Sequence, residues 1–75
     1  MSDESERQTI KKWRRSRWLT QAELAEKVGV THWTISNWEK GIKPPSLRNM
    51  RRLAEALGIT PEQIELVKGQ ERPAA

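Results

Sequence analysis

TQAELAEKVGVTHWTISNWEKG, residues 20–41, is the stretch that decides the fold. Thr20 with Glu23 three residues on is the pattern of a capping box, in which each side chain satisfies a free backbone N–H at a helix start. Leu24, Ala25 and Val28 follow at the i, i+1, i+4 spacing of a helix that lays one face on a core. Gly29 supplies the left-handed residue that commonly ends a helix. Val30 is apolar, and Thr31 can cap the next helix at once. That helix, HWTISNWEK over residues 32–40, stops at Gly41. Two short helices joined by so tight a turn form a helix-turn-helix outline.

Outward from this pair the pattern stays helical. Upstream, RQTIKKWRRSRW over residues 7–18 sets Ile10, Trp13 and Arg17 near one stripe. Lys11, Lys12, Arg15 and Ser16 fall mostly off that stripe, so the run reads as a basic helix with a thin apolar seam. Residues 1–6 are polar, without apolar period, and are expected to be disordered. Downstream, IKPP over residues 42–45 cannot be helical throughout, because Pro44 and Pro45 restrict it. Ser46 caps a fourth helix whose Leu47, Met50, Leu53, Ala54 and Leu57 make a clean stripe ended by Gly58. Thr60, Pro61 and Gln63 have the right chemistry to start a fifth, with Ile64 and Val67 as its narrow apolar face. Neither a strand signal nor an internal repeat is visible. The expectation is an all-α fold of five helices in one domain over residues 7–68, followed by a flexible tail over residues 69–75.

Composition narrows what such a domain can do. A chain of 75 residues buries only roughly 60% of its unfolded surface and usually needs help from disulfides, metals or association. Cysteine is absent, which excludes disulfides and thiolate metal sites. The one histidine, His32, cannot build a zinc site alone. No run approaches the ~18 apolar residues of a membrane span, and the polar, acidic N-terminus is unlike a signal peptide. A cytoplasmic protein is expected, in keeping with the missing cysteines. There is no nucleophile–base set, no paired carboxylates, no glycine-rich phosphate loop and no metal cluster, so neither an enzyme nor a cofactor or small-molecule ligand is indicated. The net charge is +4 and the pI about 10.0, a balance that suits a polyanionic partner or a merely basic surface.

The faces of the helix over residues 31–40 decide between these. At ~100° per residue with His32 at zero, Ile35 falls near ~300° and Trp38 near ~240°. They define the core face. His32, Ser36, Lys40, Trp33 and Asn37 fall between roughly 0 and 140°, opposite the core. An indole on that side exposes a large apolar area for no gain in stability. Three placements compete for Trp33: a partner surface such as a thymine methyl or sugar in a groove, a sideways rest over neighbouring side chains, or a dimer contact. Asn37 has the donor–acceptor pair to read an adenine edge, and His32 can donate to a phosphate or a guanine edge. Ser36 is small enough to let the helix approach closely. Phosphate grips are expected at helix starts, where free amides and the dipole favour an anion. Gln21 sits at one such start and Ser46 to Asn49 at another, while Thr34, Lys40 and Lys43 flank the reading helix. Each of these residues taken alone is also an ordinary solvated side chain.

Together, Leu19-Thr20-Gln21, Leu24-Ala25, Val28-Gly29-Val30, Ile35-Ser36, Trp38-Glu39, Gly41, Pro45-Ser46, Leu53-Ala54 and Ala56-Leu57-Gly58 closely resemble the Cro/C1-type helix-turn-helix family of phage repressors and bacterial regulators. The likeness spans about residues 10–67. It implies a compact five-helix, lambda-repressor-like domain whose third helix enters the major groove of double-stranded DNA. It implies base reading at His32, Trp33 and Asn37 with Ser36 beside them, and phosphates held by Gln21 and the start of the third helix; with the flanking residues, the expected phosphate contacts are Thr20, Gln21, Thr31, Thr34, Lys40 and Lys43. It further implies two-fold-related half-sites about one helical turn apart, a homodimer formed in solution or only on DNA, and an internal ion pair between Arg14 and Glu39. For a dimer face the sequence offers Ile64, Leu66 and Val67.

Two positions depart from the family pattern. Trp18 replaces the usual glycine after the first helix, and since a Trp resists the left-handed conformation, the helix is expected to run on or bend differently into Leu19. Trp33 replaces a common polar reader, so base preference cannot be copied from relatives. The leading reading is a sequence-specific transcriptional regulator, a repressor that occludes a promoter. The alternative is an antitoxin or adaptor that uses the same fold to bind protein.

Overall fold

The structure, a computed structural model, describes residues 7–67. The expected tails, residues 1–6 and 69–75, lie outside the described residues. The chain runs as β1 (Gln8–Thr9), α1 (Ile10–Ser16), α2 (Gln21–Val28), α3 (His32–Lys40), α4 (Leu47–Leu57), a 3-10 turn (Pro61–Gln63) and β2 (Ile64–Glu65). Every α-helix starts on a hydroxyl cap: Thr9, Thr20, Thr31 and Ser46 each accept the N–H of the third helical residue. At Thr20 the box closes, because Glu23 also takes the Thr20 N–H at 2.8 Å. These caps satisfy amides that have no intrahelical partner.

The helix-turn-helix forms as the sequence indicates. Gly29 takes φ 90°, and the N–H of Val30 returns to the carbonyl of Ala25 at 3.0 Å. This six-to-one bond closes α2 and turns the chain within three residues into α3. Leu24, Ala25 and Val28 of α2, Ile35 and Trp38 of α3, and Leu53, Ala54 and Leu57 of α4 are all buried, joined by Ile10, Trp13 and Ile64. The angular reading of α3 therefore holds: Ile35 and Trp38 face the core, and Trp33 is 65% exposed.

Five expectations are corrected. The first helix is shorter than residues 7–18, because Thr9 caps it and Gln8 and Thr9 lie in a strand. The fifth helix is a single 3-10 turn rather than a helix. Its start signals are real, since Gln63 accepts the Thr60 N–H at 3.0 Å, but tertiary contacts take over at once. Ile64 pairs in parallel register with Gln8 and is buried, and the Trp13 indole N–H donates to the Gln63 carbonyl at 2.8 Å. Two strands of two residues leave no periodicity to read, which is why no strand was expected. Burial also removes Ile64 from the dimer face, leaving Leu66 and Val67 exposed.

The fifth correction concerns Trp18. α1 neither runs on nor bends. It ends at Ser16 with Trp18 in the left-handed region at φ 57°, the position held by glycine after the other three helices. The N–H of Leu19 bonds the Arg14 carbonyl at 3.2 Å and that of Trp18 bonds the Arg15 carbonyl at 3.0 Å. That is the paired bonding of a Schellman ending. The Trp18 side chain is 90% exposed. One residue earlier, Arg17 lies over the Trp13 ring at 5.2 Å and donates to the last carbonyl of α4, Leu57, at 2.8 Å. α1 is thus latched to the far end of the fold.

Candidate nucleic-acid interface

The outer face of α3 presents His32 and Trp33 in its first turn and Ser36 and Asn37 one turn on. Residues three and four apart are neighbours on a helix, so these four share one surface. His32 and Trp33 are exposed and their rings stack, with centroids 5.9 Å apart and planes 27° apart. Trp33 therefore leans on His32 and does not fold back over the core. Ser36 and Asn37 are half-buried, on the flanks of the same ridge. Hydrogen-bonding groups and an indole lie together there, and no carboxylate of α3 joins them, because Glu39 is turned inward.

Glu39 sits at the centre of a polar lock. Its carboxylate accepts Arg14 Nε at 2.7 Å, Arg14 Nη2 at 3.3 Å and Gln21 Nε2 at 3.0 Å. The third guanidinium nitrogen of Arg14 donates to the Leu19 carbonyl at 2.8 Å. The side chains of Arg14 and Glu39 are 12% and 4% exposed. One buried carboxylate thus ties α1, the turn before α2, the start of α2 and the end of α3. The expected ion pair is present. Gln21 and Leu19 as its further partners were not legible beforehand, since these contacts cross eighteen and five residues with no motif to mark them. With Nε2 engaged in this way, Gln21 keeps its other amide hydrogen and its carbonyl oxygen for a partner.

The expected phosphate grips fall into two groups. Thr20 and Gln21 stand at the amide end of α2, and Thr31 and Thr34 at that of α3, their hydroxyls 3.1 Å apart. On the other flank, Thr34, Asn37, Lys43, Pro44, Ser46 and Asn49 line one open cleft over Trp38. It lies between α3 and the start of α4, and Lys43 is exposed at its edge. Lys40 is exposed in the last turn of α3 but does not line this cleft. The start of α4 and the flank of α3 thus border the same space.

The model of a helix-turn-helix family matches residues 10–64. An uncharacterized HTH-type transcriptional regulator of Methanothermobacter thermautotrophicus is 52% identical over 52 residues, covering 69% of this chain and 75% of that protein. A second such regulator, from Methanocaldococcus jannaschii, is 40% identical over 53 residues, covering 71% and 80% respectively. The crystal structure of the P22 c2 repressor protein in complex with a synthetic operator matches with a TM-score of 0.70 at 32% identity, covering 75% of this chain and 86% of that one.

Proposed function

The chain belongs to the helix-turn-helix family, of the Cro/C1 type, and on that premise we propose that it is a repressor that reads duplex DNA by laying α3 in the major groove. It is a DNA-binding transcriptional regulator by family and fold. The observation that carries the finer reading is the two-sidedness of α3. Ile35 and Trp38 fasten it to the core, while on the other side His32 and Trp33 are exposed and Ser36 and Asn37 half-buried beside them.

In this reading Asn37 pairs with an adenine edge and Trp33 packs on a thymine methyl or sugar. His32 supports the indole by stacking and donates to a base or phosphate. Ser36 keeps the approach close. Thr20 and Gln21, with Thr31 and Thr34, hold one stretch of backbone at helix amide ends. Lys40 and Lys43, with the cleft beside α4, hold another. Such contacts set register, while the α3 face sets sequence. The Gln21–Glu39 bond supports this division, because it fixes the backbone-gripping end of α2 relative to the reading helix. Two copies on two-fold-related half-sites about 34–36 Å apart would complete the operator complex, with Leu66 and Val67 available at the contact. Occlusion of a promoter then follows from occupancy alone.

Selection from a pool of random duplexes, followed by gel shift, tests this. One motif should be enriched, and it should recur as an inverted repeat. Enrichment of no motif at low salt would refute it, and would favour the protein-binding use of the fold that the exposed Trp33 also suits.

A further inference from the structure

Trp18 has no role in the folded monomer that would justify its cost. Its φ of 57° is one that a β-carbon opposes. At 90% exposed, it is the barest large apolar side chain among the described residues. Neither backbone preference nor burial accounts for an indole there, and strained positions of this kind gather at functional sites.

The backbone that carries the indole is held in place. The N–H groups of Trp18 and Leu19 bond the carbonyls of Arg15 and Arg14, Arg14 Nη1 fixes the Leu19 carbonyl, and the capping box at Thr20 follows directly. Trp18 is three residues before Gln21, so their Cα atoms are at most ~11 Å apart. On its other side α1 exposes Lys11, Lys12 and Arg15, and Arg17 just after it is exposed too, though held on the Trp13 ring and the Leu57 carbonyl. The carboxylates of Glu23 and Glu39, which bond residues flanking this turn, are engaged with the Thr20 N–H and with Arg14. A bare indole on a fixed stretch of backbone, between exposed cations and the positive end of a helix, is complementary to a polyanion.

We propose that Trp18 is a DNA-backbone contact, its ring packed on a deoxyribose and its Nε1–H donated to a phosphate oxygen next to the one held at the start of α2. The inference rests on the duplex-binding reading above. It makes Trp18 a positioning group for affinity and not for sequence.

The test uses Trp18→Gly and Trp18→Asn, since both residues accept the left-handed conformation. Thermal melts should rise by roughly 4–8 °C as strain is relieved. Affinity should fall about tenfold, the worth of one hydrogen bond to a charged group, and equally for the selected duplex and an unrelated one. The slope of log affinity against log salt should not change, because no cation is removed. At saturating duplex, DNA-induced quenching of Trp emission should be smaller in the variants than in wild type. Wild-type affinity in both variants would overturn the proposal while leaving duplex binding intact. So would unchanged affinity with a loss of self-association in sedimentation, which would assign the indole to a second copy. A wild-type chain that binds no duplex at any salt would instead remove the function and this contact with it.

Discussion

Replacing Glu39 by Gln removes one charge and almost no volume, and its cost can be worked from the lock. The carboxylate accepts three N–H groups, at 2.7, 3.3 and 3.0 Å. A carboxamide has one acceptor oxygen. Its NH2 must therefore face the guanidinium of Arg14 or the amide of Gln21, donor against donor. Breaking a buried ion pair by removing one partner costs ~3–5 kcal/mol. Arg14 keeps its bond to the Leu19 carbonyl and is 12% exposed, so water can share the stranded charge and the lower end, ~3 kcal/mol, applies. A 75-residue chain holds roughly 4–11 kcal/mol in all. At ~4–8 °C per kcal/mol for a domain of this size, Glu39→Gln should lower the melting temperature by roughly 12–24 °C. Circular dichroism melts of the two proteins, at one concentration and one salt, measure it. A shift of under about 3 °C, less than a single kcal/mol on that scale, would refute the reasoning and reduce the lock to two solvated charges.

Three further outcomes follow from the same geometry. Trp33→Ala should weaken binding to the selected duplex by ~1–3 kcal/mol while leaving the melt nearly unchanged, because the side chain is 65% exposed; undiminished affinity in titrations would take Trp33 out of the groove. Lys43→Gln should weaken selected and unrelated duplexes alike and lower the salt slope by ~0.9; an unchanged slope would mean that Lys43 reaches no phosphate. The paired replacement Arg14→Met with Glu39→Leu should recover much of the stability lost in Glu39→Gln, since apolar groups of similar size often replace a buried pair at little cost. It should still bind DNA less well than wild type, because Gln21 loses its anchor, and full affinity in that variant would separate the lock from function.

The parts of this fold that local chemistry specifies were legible. Thr20, Glu23 and Gly29 mark the ends of α2 within the residues that form it, and the phase of Ile35 and Trp38 orients α3 without reference to anything else. The candidate site inherits that legibility, because a reading face is the complement of a core face. What escaped was decided between distant segments. Thr60 and Pro61 do begin a helical turn, but Ile64 gains more by entering the core beside Gln8 than by extending it, and the Trp13 indole claims the carbonyl of Gln63. Trp18 escaped for a different reason. Propensity says that a Trp avoids φ 57°, yet two backbone bonds and the Arg14–Leu19 contact together over-determine the turn. In a turn so fixed, the residue takes the conformation it is given.

The lock also bears on why a domain this small keeps a charged pair beneath its surface. Apolar packing of Leu24, Ala25 and Ile35 would hold α2 against α3, but packing of roughly suitable shape tolerates small shifts. Duplex DNA does not share that tolerance, since its phosphates and base edges stand at fixed offsets. A protein that grips backbone with the start of α2 and reads bases with α3 needs the two helices in one relation. Directional bonds of 2.7 to 3.0 Å from Glu39 to Arg14 and Gln21 supply that constraint, and a functional constellation gains from such a supporting shell. The same bonds reach back through Leu19 to the turn that carries Trp18. The elements proposed to touch DNA, the α1–α2 turn, the start of α2 and the face of α3, are thus referred to a single carboxylate, which sits 4% exposed behind all of them.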